Sequence, residues 1–186
     1  MSIIKPHISS AGLYFITFTN HKWLPLIDVT KSYDLVYKWF AYLKTKGHPV
    51  TAYVIMPNHI HVIICFRESE KSINKIISDG KRFLSYGIVE RLKGLERTDL
   101  LQICREAVTV REKECGTKYK VFKRSFDMKE CFTEPFLRQK VEYIHNNPIS
   151  KKWSLAADAE SYLHSSARFY ATDLHELCEL VNYGDL

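Results

Sequence analysis

The chain has 186 residues, 46% of them hydrophobic and 13% aromatic, with seven glycines and six prolines, which excludes a disordered or fibrous class and fits one well-buried domain over residues 1–186. Its net charge of +6 and pI near 9.0 suit a polyanionic partner without requiring one. The five cysteines, at 65, 104, 115, 131 and 178, form no CxxC pair, no secretory leader pattern is seen, and no apolar run nears the roughly 20 residues of a membrane span; reduced thiols, a cytoplasmic location and no membrane are expected.

Residues 13–19, LYFITFT, form a β-branched and aromatic run that predicts a buried strand. Over residues 33–46 the period changes: Leu35, Val36, Trp39, Phe40 and Leu43 recur at helical spacing until Gly47 and Pro49 stop the pattern. Residues 50–55 and 59–66 read as two strands whose short Met-Pro-Asn link predicts an antiparallel hairpin. Residues 70–93 carry Ile73, Ile76, Ile77, Phe83, Leu84, Ile88 and Leu92 on one side of a helix, although Gly80 and Gly87 weaken its continuity. Residues 94–120 read as an inserted helix, over 95–108, and an exposed loop, REKECGTKYK. Residues 121–126, VFKRSF, are the expected fourth strand.

Thr133-Glu134-Pro135 predicts a helix start, with a hydroxyl cap and a proline in the first turn, and Pro148 ends that helix near Asn147. The remainder includes YLHSSARFY, residues 162–170, and a tail helix expected over 174–181, within the tail 171–186. The order β-α-β-β-α-β and then α predicts an α+β fold, a ferredoxin-like (RRM-like) four-stranded antiparallel sheet with helices packed on one face.

The hairpin contains MPNHIHVIICF, residues 56–66. In a strand, residues two apart share a face about 6.6 Å apart, so the imidazoles of His59 and His61 can converge on one ion. Two neutral imidazoles plus one oxygen ligand leave positions open for a substrate oxygen. Alternation alone also allows both rings to face solvent while Ile60, Val62 and Ile64 pack inward.

On the late helix, 100° per residue puts Leu137, Val141 and Ile144 on one stripe and Gln139, Lys140, Tyr143 and Asn147 on the adjacent one. A phenol and an amide one turn apart can face the same phosphate. His145 falls on a different face, which argues for a hydrogen-bonding role near the helix end rather than a ligand role.

MPNHIHVII followed by YIHNNPI on a late helix, with YLHSSARFY beyond it, resembles the single-tyrosine HUH transposases, the insertion-sequence transposases and REP-associated tyrosine transposases. The resemblance covers roughly residues 10–170, with 94–120 departing from the compact members. It implies that His59 and His61 bind a divalent cation, Mg2+ or Mn2+, with Asn147 in the place of a third ligand that is glutamine in some members. It further implies that Tyr143 attacks a phosphate of single-stranded DNA at hairpin or palindromic ends, forming a covalent 5′-phosphotyrosine and freeing a 3′-hydroxyl. The tyrosyl bond keeps the energy of the broken phosphodiester, so no nucleotide cofactor is implied. Two cleavages per excision with one nucleophile per chain point to a homodimer.

A free phenol, with a pKa near 10, needs help to attack at neutral pH; helical spacing nominates Lys140, beside the ion, for that catalytic part. Residues 111–153 hold eleven Lys or Arg against six Asp or Glu. Lys123, Arg124, Lys151 and Lys152, with Lys81 and Arg82 from the second helix, are the expected phosphate contacts. The competing readings are a non-catalytic module for hairpin DNA or RNA and a replication-initiator or relaxase-type nickase.

Overall fold

A computed structural model describes residues 11–174 and 177–186. Strand β1 (Gly12–Thr19) leads through a short turn and α1 (Leu26–Val29) into α2 (Tyr33–Thr45). The hairpin is β2 (Val50–Met56) and β3 (His59–Phe66), as its alternation predicts. Helix α3 (Ile73–Gly94), capped by the Ser72 side chain, is followed by α4 (Thr98–Glu106), α5 (Val110–Glu114), β4 (Asp127–Glu130), α6 (Glu134–Asn146) and α7 (Ala167–Thr172). The strands lie in the order β2-β3-β1-β4, every neighbouring pair antiparallel. This is the ferredoxin-like plan expected from the element order.

The helices do not all lie on one face, contrary to expectation. Tyr14, Ile16 and Phe18 of β1 and Ile60, Val62 and Ile64 of β3 pack with α2, α3 and α4. Phe15, Ala52, Val54, Met56 and Ile63 point the other way and are covered by Leu137, Val141 and Ile144 of α6. Strand alternation therefore sorts the odd-numbered residues of β3, including both histidines, onto the α6 side.

Helix α3 runs unbroken through Gly80 and Gly87, where α2 comes too close for a larger residue. A Cβ on Gly80 would stand 2.4 Å from the Trp39 indole, and one on Gly87 2.4 Å from Leu35 Cδ1. Beyond α3, Leu100 and Cys104 of α4 complete the core. The expected loop over 111–120 holds α5, whose capping box joins Thr109 to Glu112, and Lys120 pairs with Glu112 at 3.0 Å.

The fourth strand is β4, not residues 121–126. Phe122 makes a single bridge to Asn20, and pairing resumes at Asp127 opposite Thr17. Between these points β1 advances three residues and the other segment five, so two residues must bulge out. Lys81 Nζ holds the bulge by donating to the carbonyls of Lys123 (2.7 Å), Arg124 (3.0 Å) and Ser125 (3.4 Å).

YLHSSARFY covers the free edge of β2, a standard hazard of open sheets. Ile55 N donates to His164 O, Ser166 N to Tyr53 O, and the Tyr162 and Tyr170 hydroxyls to Ile55 O and Thr51 O. The expected tail helix over 174–181 is not formed at its described residues: 177–181 are irregular and a 3-10 turn, Tyr183–Asp185, follows; residues 175 and 176 lie outside those described. Among the described residues no helix is long and apolar enough to cross a membrane, and all five cysteines are free.

Candidate active site

His59 and His61 are only 3% and 5% exposed, so they are not a solvent-facing pair. Their ring centroids are 4.7 Å apart and nearly perpendicular. Burial, with the nearby Lys152 charge second and the Asn147 amide working weakly the other way, lowers the His59 pKa to about 4. Burial, then the charges of His59 and Lys140, lowers that of His61 to about 3. Both are neutral imidazoles at neutral pH, the form that binds metals.

Each ring is held from behind through Nδ1. His59 Nδ1 lies 2.7 Å from Asn58 Oδ1, and the Asn58 amide is oriented by donating from Nδ2 to Trp23 O at 2.8 Å. An amide oxygen can only accept, so His59 carries its proton on Nδ1 and keeps the Nε2 lone pair. His61 Nδ1 lies 2.7 Å from Thr17 Oγ1, its cross-strand partner in the β1–β3 register. This arrangement of oriented imidazoles is what metal-binding histidines use.

Helix α6 brings the remaining groups. The Tyr143 ring is 5.1 Å from that of His61 and 6.0 Å from that of Phe15, which stacks on His61 at 5.5 Å. Tyr143 is 48% exposed, so it borders a cleft of about 940 Å³ that both histidines also line. Asn147, one turn on, lines it too; its Oδ1 is buried with no hydrogen-bond partner among the described residues, a costly state for an amide. Two neutral imidazoles and an unsatisfied carbonyl oxygen on one cleft fit an open three-ligand metal site. Lys140 Nζ lies over the rings of Phe136 (5.0 Å), Phe15 (5.3 Å) and Tyr143 (5.9 Å).

The other residues nominated from sequence divide. Lys123 and Lys152 line the cleft. Lys151 is exposed outside its lining, and Arg124 borders a separate groove by α3. The ammonium of Lys81 is spent on backbone carbonyls and burial lowers its pKa to about 8, while Arg82 pairs with Asp79 at 3.5 Å beside another groove between α2 and α3. Gln139 also faces away, with Glu134 and Arg138. His145 is hydrogen-bonded with Ser166 Oγ at 2.9 Å, away from the cleft.

Sequence reasoning missed Phe15, Thr17, Trp23, Asn58, Lys129 and Trp153. Asn58 adjoins the histidines and was findable; Thr17 and Lys129 needed the register, and Trp23 and Trp153 needed the turns that carry them.

Neither a protein-family model nor a curated protein matches the chain. Among solved structures, a REP-associated tyrosine transposase bound to a REP hairpin superposes with a TM-score of 0.60 at 18% identity, over 100% of this chain and 95% of that one. A Deinococcus radiodurans R1 protein with a provisional transposase description matches at a TM-score of only 0.35 and 14% identity, over 78% of this chain and 97% of that one. The chain has the fold of a REP-associated tyrosine transposase.

Proposed function

We propose that this chain is a single-stranded DNA transposase of the REP-associated, single-tyrosine HUH type, cutting and rejoining DNA at hairpin-flanked sites through a covalent 5′-phosphotyrosine. The observation that carries this reading is the convergence of Tyr143, His59, His61 and the unpartnered Asn147 Oδ1 on one lysine-lined cleft. The hairpin bound by the structural neighbour supports the same class of substrate.

His59, His61 and Asn147 would hold a divalent cation, Mg2+ or Mn2+; when bound, it supplies positive charge to a phosphate oxygen as charge builds in the transition state. Phe15 packs against both His61 and Tyr143 and so fixes the approach of the phenol. Tyr143 Oη attacks phosphorus, the bond from phosphorus to the 3′ oxygen breaks, and that oxygen leaves with a proton. The strand then stays on Tyr143 by its 5′ phosphate. One phosphodiester replaces another, so a second 3′-hydroxyl can reverse the step without an energy source. Lys140, whose Nζ is 5.9 Å from the centre of the Tyr143 ring, would bring positive charge toward the attacking oxygen and the phosphate. Excision takes two cleavages, and two chains supply the two tyrosines.

The test is incubation with hairpin oligonucleotides bearing an unpaired flank, with Mn2+ or Mg2+. A covalent protein–DNA adduct on a denaturing gel, absent in Tyr143→Phe, is expected. Retention of the hairpin with no adduct under either metal would leave a binding module and overturn the proposal.

A further inference from the structure

Two indoles stand at the cleft with no part in the chemistry above. Trp23 closes the turn between β1 and α1 and is 46% exposed. It and Lys22 both take positive φ, 58° and 50°, a conformation that side chains other than glycine rarely adopt and that surrounding structure must enforce. Here the enforcement is visible: Asn58 Nδ2 donates to Trp23 O (2.8 Å), Asn20 Nδ2 to Leu24 O (3.1 Å) and His21 N to Val121 O (2.7 Å). The turn thus holds a large aromatic ring out in water beside His59, whose ring is 5.5 Å away. Trp153 also approaches His59, at 5.4 Å.

Two cations rest on this ring. Lys123 Nζ is 4.7 Å and Lys152 Nζ 5.0 Å from the Trp23 centroid, and Lys152 is also 5.1 Å from that of Trp153. Among the described residues neither lysine has a carboxylate partner within 4.0 Å. A half-exposed indole carrying two unneutralised ammoniums matches one ligand unit in both parts, a phosphate that draws the flexible lysines off the ring and a base that stacks in their place. The short distance to His59 makes that unit the neighbour of the phosphate held there.

We propose that Trp23, with Lys123 and Lys152, forms a subsite for one unpaired nucleotide flanking the scissile phosphate, the base stacking on the indole and its phosphate meeting the two ammoniums. The inference rests on the strand-cleavage reading for the position of that phosphate, but its test does not pass through cleavage.

The probes are an end-labelled, mixed-sequence single strand of about 12 nucleotides and the same backbone made wholly abasic, titrated by fluorescence anisotropy in chelator. The wild-type chain should prefer the base-bearing strand by about 5- to 150-fold. Trp23→Ala and Trp23→Leu, the second keeping apolar bulk without a π-face, should each lose most of that preference, and Trp23→Phe should keep part of it. Lys123→Gln and Lys152→Gln should weaken both strands alike and shallow the salt dependence by about 0.7 each. A Trp23→Leu chain with the full preference, or a wild-type chain with none, overturns the subsite. If the Tyr143 adduct forms while Trp23→Leu keeps its preference, the subsite alone fails; if no adduct forms while the preference is lost, the cleavage reading alone fails.

Discussion

The Tyr143 ring lies 5.1 Å from the His61 ring of its own chain, edge to face. The candidate nucleophile and the imidazole pair are therefore assembled within one subunit. Mixing Tyr143→Phe chains with His61→Ala chains should accordingly fail to restore adduct formation, since neither chain holds a complete site. Adducts from the mixture above the level of either variant alone would show that α6 exchanges between subunits.

The backing of the two rings makes a second prediction, concerning metal affinity rather than turnover. Asn58→Ala frees the His59 ring to turn and to change tautomer, and Thr17→Val does the same to His61. Each should weaken Mn2+ binding by about 10- to 100-fold, read by titration calorimetry, with the far-UV circular dichroism unchanged. Unaltered affinity in both would mean that the rings are held by packing against Phe15 and Trp23 alone.

Asn147 should reveal itself through opposite effects on two measurements. Its buried Oδ1 has no hydrogen bond among the described residues yet stands close enough to His59 to favour that ring's charged form, so the neutral ring leaves it without a proton to accept. Asn147→Ala should therefore leave the metal-free melting temperature unchanged or raise it, while lowering Mn2+ affinity. A fall in both would point to an unseen structural partner instead.

The strands and long helices were legible in the sequence because alternation and 3.6-residue spacing are local signals. Those signals predicted β3 over residues 59–66, and the cap at Thr133 and stop at Pro148 predicted α6. What was not legible depends on partners distant in the chain. Parity put His59 and His61 on one face, yet only the position of α6 shows that this face is covered rather than wet. Residues 121–126 have strand composition, but the bulge clamped by Lys81 delays pairing to Asp127. Lys81 and Lys123 look equally free in the sequence; one is spent on backbone carbonyls and the other faces the cleft.

Gly80 tests the close approach of α2 and α3. Its place would take a Cβ only 2.4 Å from the Trp39 indole, so Gly80→Ala forces Trp39 to move inside the main core. The helix-propensity gain of Ala over Gly, about 1 kcal/mol, competes with an overpacking cost of about 1–3 kcal/mol. A net loss in urea denaturation is expected, together with a shift in Trp39 fluorescence. A stabilised variant would mean that the indole has room to swing away.

The chain should also lose stability in acid through histidines outside the cleft. His145, half-buried against Tyr170 and hydrogen-bonded with Ser166, and His164, stacked on Tyr33 at 3.6 Å, both have pKa values lowered to about 4, chiefly by desolvation, from an ordinary 6.5. The unfolded chain takes up protons on these rings first as pH falls below 6.5, so acid favours unfolding. Their contribution is intact above pH 6.5, declines between 6.5 and 4, and changes no further below that. The melting temperature should fall through this window, and His145→Gln, which cannot be protonated, should flatten part of the fall. An equally steep profile in His145→Gln and in His164→Gln would assign the acid sensitivity to other groups, the buried histidines of the cleft or the carboxylates.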